Sequence, residues 1–258
     1  MTLVLPWPAR LEIEWIDDVE HPQANMDLDP QLGTDVASGR RPPLIRLWRA
    51  AKHRGIGVSR KDVATEAGQR AMQSLIQDGY SVVVRQTGGT AVPQGEGVLH
   101  VSYLFPRLPY TVTTDDYYRM LCGPIIEWLG THGCRATTGE LPGSYCDGKY
   151  NVLVNEQKLV GTAQAWRGGL AGMKSARPGY ILAHACIVVD VDMEWATGLI
   201  NRFYEEAGNP YRVDASTSTT LRECLPGLFQ GASASEATHI ALRDLQQFYR
   251  AYLSHVCD

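Results

Sequence analysis

Residues 150–166, YNVLVNEQKLVGTAQAW, carry the pattern from which the fold is read. Two β-rich runs, YNVLV (150–154) and KLVGTAQAW (158–166), flank Asn155 and Glu156, and a polar pair between apolar runs marks a tight antiparallel connection. Downstream, YILAHACIVVDVD (180–192) alternates or runs apolar, as a buried strand does. Upstream, SVVVR (81–85) and GVLHVSYLF (97–105) read as strands joined by the glycine-bearing TGGTAVPQGE. Helices are predicted around this centre. One runs from about Arg60 to Asp78, capped by Ser59 and stopped by Gly79; a second runs from Thr114 through Trp128, with Pro124 inside it and Gly130 closing it. Two amphipathic helices follow, one with Trp195, Leu199, Phe203 and Tyr204 on one side, the other with Ala241, Leu245, Phe248 and Tyr252 behind a Ser233-x-x-Glu236 capping box. DPQLGTDVASGRRPP (29–43) reads as a surface loop. Strands at the centre and helices at the flanks predict an α+β domain, a mixed and largely antiparallel sheet covered by helices, with residues 1–258 as one unit.

The bulk composition narrows the function classes. A chain of 258 residues, 44% hydrophobic and 20% charged, holds enough apolar material for one sizeable core. The net charge of -4 provides no cationic surface for phosphates, so nucleic acid is not expected as a partner. The N-terminal MTLVLPWPARLEIEW lacks a basic start and a sustained apolar stretch, and no run reaches the length of a membrane span. The expectation is a cytoplasmic protein. Its six cysteines, at 122, 134, 146, 186, 224 and 257, form no CxxC pair and no zinc-like cluster with the histidines, which suits a reducing compartment and no metal site.

Three segments depart from what strands and helices require. Arg85-Gln-Thr-Gly88-Gly89-Thr-Ala91-Val puts adjacent glycines after a strand, where backbone can approach a ligand, and an arginine that can anchor an anion; a tight connection with a surface arginine explains the same residues. Gly143-Ser-Tyr-Cys146-Asp-Gly148 holds a cysteine in a loop, and an accessible thiol beside backbone amides and an ammonium favours the nucleophilic thiolate; an incidental loop cysteine is the plain alternative. Lys158, at the head of an apolar strand that continues to Gly161, points into whatever that strand lines, or into water at the turn. His184, alone on an apolar strand, reads first as a satisfied core residue.

In this order the segments resemble the lipoate–protein ligase, octanoyltransferase and biotin ligase superfamily. RQTGGTAVPQGEGVLHVSYLF resembles its Arg-x-x-Gly-Gly-x-Ala-Val loop and following strand, YNVLVNEQKLVGTAQAWRGG its hairpin ending in Lys-x-x-Gly-x-(Ala/Ser)-Gln, and HACIVVDVD the strand after it. ANMDLDPQLG, INRFYEE and TTLRECL also have counterparts there. The GSYCDGKYNV segment, with its Gly-Ser-(Tyr/Phe)-Cys pattern, is nearest the cysteine-dependent octanoyltransferases that move octanoyl from the glycine-cleavage H protein to dehydrogenase E2 lipoyl domains. Two positions depart from the superfamily pattern: Thr90 stands where the ligases have a third glycine, and Ala185 follows His184 where Gly is usual.

The resemblance implies a fold like class II aminoacyl-tRNA synthetases and biotin protein ligases. It implies Cys146 as nucleophile, Lys158 steadying the developing oxyanion, and Arg85, Gly88, Gly89, Ala91, Gly161 and His184 shaping the acyl site. The expected partners are lipoyl-domain proteins or acyl carrier protein. No cofactor is required in that scheme. An ATP-dependent ligase is the alternative, with ATP and Mg and a dispensable Cys146, and a non-catalytic acyl-carrier binder is the third reading.

Overall fold

Asn155 and Glu156 both sit at positive φ, 49° and 62°, which is the left-handed two-residue turn that twists in step with the strands it joins. The hairpin is therefore where the local sequence places it. The computed structural model describes residues 7–107, 112–169 and 179–256; the first six residues of the N-terminal stretch and Cys257 lie outside them. The elements run β1 (Glu12–Trp15), α1 (Pro22–Ala37), β2 (Leu44–Arg49), β3 (Gly55–Ser59), α2 (Glu66–Gln77), β4 (Ser81–Arg85), β5 (Val92–Gln94) and β6 (Val98–Pro106). They continue with α3 (Thr114–Thr131), β7 (Ala136–Gly139), β8 (Asn151–Val154), β9 (Gln157–Arg167), β10 (Tyr180–Val188), α4 (Met193–Glu206), α5 (Leu221–Cys224) and α6 (Ala234–Val256).

Seven strands form one sheet in the order β1-β2-β6-β10-β9-β8-β7, and β4-β3-β5 form a second. Among the described strands, β1 with β2 and β3 with β4 pair in parallel and the rest pair antiparallel, so the architecture is the mixed α+β one that the pattern predicts. Alternation along the strands sorts the faces of the large sheet. Leu99, Val101 and Tyr103 of β6 and Ile181, Ala183 and Ala185 of β10 join α3 and α6 in the main core. On the other face Leu104 and Leu182 meet Leu32 and Val36 of α1. The small sheet, with α2 and α4, supplies a second core built on Ile56, Val58, Leu75, Leu199 and Phe203. The candidate site residues lie where this second core meets the large sheet.

Several local expectations are corrected. Residues 29–37 belong to α1 rather than to a loop: Leu32 and Val36 recur four apart and are buried, and Pro30 sits inside the helix. The α2 helix starts at Glu66 rather than near Arg60. Thr65 caps it by accepting from the Gly68 amide, while Ser59 ends β3 and is tied to Asp62 in a separate turn. The strand expected over 180–192 ends at Val188, and the connection TGGTAVPQGE contains the short strand β5; α3 is capped by Thr113 and carries Pro124 as expected, and Ser233 and Glu236 form the capping box of α6. No helix among the described residues is long and apolar enough to cross a membrane.

Candidate functional site

Register brings the floor of the site together. His100 and Ser102 on β6, His184 and Cys186 on β10, and Gly161 and Ala163 on β9 share the sheet face turned towards the small sheet, because Cys186 pairs with both His100 and Gly161, and His184 with both Ser102 and Ala163. The small residues at 161 and 163 leave room above the sheet. A narrow recess of about 280 Å³ fills it, lined by Val92, Gly161, Ala163, Cys186 and the rings of His100 and His184, with Arg85, Gln94 and Cys146 at its edge.

Cys146 sits in the loop between β7 and β8, at φ 45°, a left-handed conformation unusual for a residue with a β-carbon. Sequence reading expects this thiol to be exposed. It is instead 7% accessible and packed with Tyr145 against the second core. Burial does not isolate it, because Cys146 lines both the narrow recess and a wider cleft of about 730 Å³ bounded by Gly88, Gly89, Asp115, Tyr118, Lys149 and Gln164. The sulfur thus stands at the junction of an apolar recess and a polar opening.

Two buried cations flank that junction. Arg85, 3% accessible, directs Nη2 to Cys146 Sγ at 3.6 Å and spends its other contacts on Thr87 Oγ1 and the carbonyls of Gly88 and Thr90. Its Nε has no partner among the described residues. Lys158, fully buried, donates to the carbonyls of Tyr145 and Cys146, the latter at 2.9 Å, and lies 4.3 Å from the centre of the Tyr145 ring. Burial pulls the Lys158 ammonium down to about 8, and the neighbouring Cys146 sulfur acts in the opposite sense. None of these contacts is a carboxylate, so the positive charge here is left for an anion that forms on the sulfur or on a bound substrate.

Of the residues the sequence singles out, Arg85, Gly89, Cys146, Lys158, Gly161 and His184 converge here, and Gly88 borders the cleft. A β-carbon on Gly89 would lie 2.3 Å from Cys146 Sγ, and one on Gly161 would lie 3.3 Å from Lys158 Cε. Ala91 is buried behind the loop, its amide donating to Tyr204 Oη at 2.7 Å. His184 is a wall of the recess whose Nε2 lies 2.8 Å from His100 Nδ1, and His100 Nε2 in turn reaches Gln94. Burial pulls His184 down to about 4 and His100 well below its ordinary value, so both rings are neutral at physiological pH. His100, Ala163 and Cys186 escape sequence reading because only strand register shows that they share a face with His184, and Gln94, on β5 of the small sheet, joins them only through its side-chain contact with His100. Burial pushes the Cys186 thiol up to about 12, which leaves it an inert part of the wall. No group of three or more His, Cys, Asp or Glu residues among the described residues could hold a metal ion.

Residues 21–245 match the model of the lipoyl protein ligase A/B catalytic domain. A Kyrpidia tusciae protein named an octanoyl-GcvH:protein N-octanoyltransferase is 41% identical over 88% of this chain and 76% of its own length. A Geobacillus kaustophilus protein of the same name is 33% identical over 56% of this chain and 50% of its own. Among solved structures, lipoate-protein ligase A bound with ATP superposes with a TM-score of 0.63 at 19% identity, over 93% of this chain and 85% of that one, which is a likeness of fold.

Proposed function

The chain belongs to the lipoyl protein ligase A/B catalytic domain family, and from that premise we propose that it moves an octanoyl or lipoyl group between protein lysines through a thioester on Cys146. The observation that carries this reading is the position of the sulfur, between an apolar recess on one side and an open cleft on the other, with Arg85 and Lys158 as buried cations beside it. The recess takes the acyl tail. The cleft admits, in turn, the donor lysine that leaves and the acceptor lysine that arrives. At roughly 0.8 kcal/mol for each buried methylene, the six internal methylenes of an octanoyl chain contribute on the order of 5 kcal/mol to holding it.

The chemistry balances in two halves. The Cys146 thiolate adds to the carbonyl carbon of the acyl-lysine amide; the tetrahedral oxyanion collapses, the nitrogen takes a proton from solvent in the open cleft as the C–N bond breaks, and the donor lysine departs as a neutral amine. The acceptor lysine then adds as a free amine to the thioester, its nitrogen gives up one proton to solvent in the cleft, and the C–S bond breaks to return the thiolate. An ammonium has three N–H donors, and two of those on Lys158 already hold the Cys146 loop, so the third serves the acyl oxygen as negative charge develops there. The Arg85 guanidinium holds the thiolate before attack and after release. One amide is exchanged for another, so the cycle is near balance and runs without ATP. The loop contacts agree with that economy: the Ala91 amide is taken by Tyr204 and the Cys146 amide by Thr90, so neither is free to cradle a phosphate.

Octanoyl-GcvH is the donor in the names of both relatives, and a lipoyl-domain carrier of that kind is the proposed donor here, with E2 lipoyl domains as acceptors, in the cytoplasm. The test is intact-protein mass spectrometry after mixing the chain with an octanoylated carrier and no nucleotide. The wild type gains one octanoyl group and loses it when an apo acceptor is added, whereas Cys146→Ala gains none. Acyl uptake by Cys146→Ala, or transfer that starts only when ATP is supplied, would refute the reading.

A further inference from the structure

The Cys146 loop is held by more than the lysine. The Cys146 amide donates to Thr90 Oγ1 at 2.8 Å, the Thr90 hydroxyl donates to Tyr211 Oη at 3.2 Å, and the Tyr211 hydroxyl donates back to the Ser144 carbonyl at 2.9 Å. Each hydroxyl in this chain accepts one bond and donates one, so the direction of every proton is determined and the chain closes on the loop it started from. Both ends lie on residues 144–146. The loop therefore cannot rotate about Cys146 without breaking it.

We infer that Thr90 and Tyr211 are positioning residues that hold Cys146 in its left-handed conformation and so aim its sulfur at the mouth of the recess, a role that rests on the thioester reading above. The geometry explains why a hydroxyl is needed at 90. A cysteine at φ 45° has left the preferred backbone regions, and such a conformation persists only where neighbouring contacts over-determine it. With the Thr90 acceptor gone, the Cys146 amide would be a buried donor without a partner, and the loop would relax to satisfy it. Relaxation would carry Sγ away from Arg85, which is 3.6 Å distant, and from Gly89, whose lack of a side chain makes room for the sulfur. The ring of Tyr211 is itself fixed, packing edge-on against Tyr204 at 5.1 Å, and Tyr204 anchors the adjacent Ala91 amide.

The experiment compares Thr90→Val, Thr90→Ser and Tyr211→Phe with the wild type. It reads the rate of Cys146 alkylation by iodoacetamide, resolved by peptide mass, beside the single-turnover rate of acyl uptake from an octanoylated carrier and the melting temperature. Expected is a roughly ten- to hundred-fold fall in both rates for Thr90→Val, a fall of the same kind for Tyr211→Phe, and rates within a few-fold of wild type for Thr90→Ser, with melting little changed. The apparent KM for the carrier stays within about two-fold while the turnover number falls, as expected when the nucleophile is misplaced and the substrate site is intact. Wild-type rates in Thr90→Val, or rates in Thr90→Ser as low as in Thr90→Val, would overturn the inference. Should Thr90→Val fail to fold, Tyr211→Phe decides alone. The alkylation rates settle the positioning role even if the wild type takes up no acyl group, so failure of the thioester reading and failure of this one are told apart.

Discussion

Arg85 Nη2 stands 3.6 Å from Cys146 Sγ, and the remaining partners of that buried guanidinium are the Thr87 hydroxyl and two carbonyls of its own loop. In the proposed thioester cycle, a cation placed this way would stabilise negative charge on the sulfur before attack and after release. A hydrogen bond to a charged group contributes about 1.5–3 kcal/mol. Arg85→Gln, which keeps a donor and removes the charge, is expected to slow alkylation of Cys146 at neutral pH by roughly ten- to hundred-fold, and acyl uptake with it. Equal alkylation rates in variant and wild type would dissociate Arg85 from the thiolate.

Gly89→Ala tests the packing of the loop against the sulfur. The added methyl would lie 2.3 Å from Sγ and 3.0 Å from Arg85 Nη2, on a backbone at φ 94° that alanine adopts only with strain. Activity is expected to fall at least about a hundred-fold, with a stability loss of only about 1–2 kcal/mol because the glycine itself is exposed. A variant that keeps full activity would show that the loop moves away from Cys146 during turnover.

Ala163 lines both the recess and the cleft, opposite His184 in the sheet. Ala163→Leu adds three carbons where the acyl chain is expected to lie. Octanoyl transfer should fall by roughly ten- to hundred-fold, while a butanoyl donor, which leaves that space unused, falls much less; each lost methylene contact is worth about 0.8 kcal/mol. A series of acyl-carrier donors of increasing length reads the change directly. An unaltered length profile would place the tail elsewhere.

The neutral His184–His100 pair under the recess carries a pH signature. His184 titrates near 4 in the fold against an ordinary 6.5, so between those values the unfolded chain binds the proton first, and stability present above 6.5 is lost as the pH falls towards 4. The gap corresponds to roughly 3 kcal/mol when fully developed, and to about 2 kcal/mol between pH 7 and pH 5. Urea unfolding across pH 4–7 should therefore show a shallower acid decline for His184→Gln than for the wild type. Identical slopes would mean that the ring is solvated in the native state.

Much of the fold is legible in the chain because its signals are local. The Asn155-Glu156 turn, the start of the strand read over 180–192 and the capping box at Ser233 and Glu236 each depend on residues within a few positions of one another and are found where expected, although that strand ends at Val188. The α1 helix is hidden by its own composition: Pro30, Gly33 and three aspartates mask an apolar pair, Leu32 and Val36, that only burial against Leu104 and Leu182 makes decisive. The Cys146 environment shows the opposite failure. Glycines on either side suggest a solvated loop, yet Tyr145 anchors that loop in the second core and takes the thiol inside with it.

The sequence by itself determined five of the strands between residues 81 and 188, four of the flanking helices, the resemblance carried by the 85–92, 143–148 and 155–164 segments, and the cysteine held between glycines at 146, because periodicity, turn chemistry and residue type are written within short windows. Only the tertiary structure decided that Arg85 faces the sulfur, that Lys158 holds the carbonyls of the Cys146 loop, and that His100, Cys186 and Ala163 complete the recess with His184. Those relations join residues tens of positions apart through strand register and the meeting of two sheets, and no local pattern in a chain encodes which side chains will share a face or a cavity.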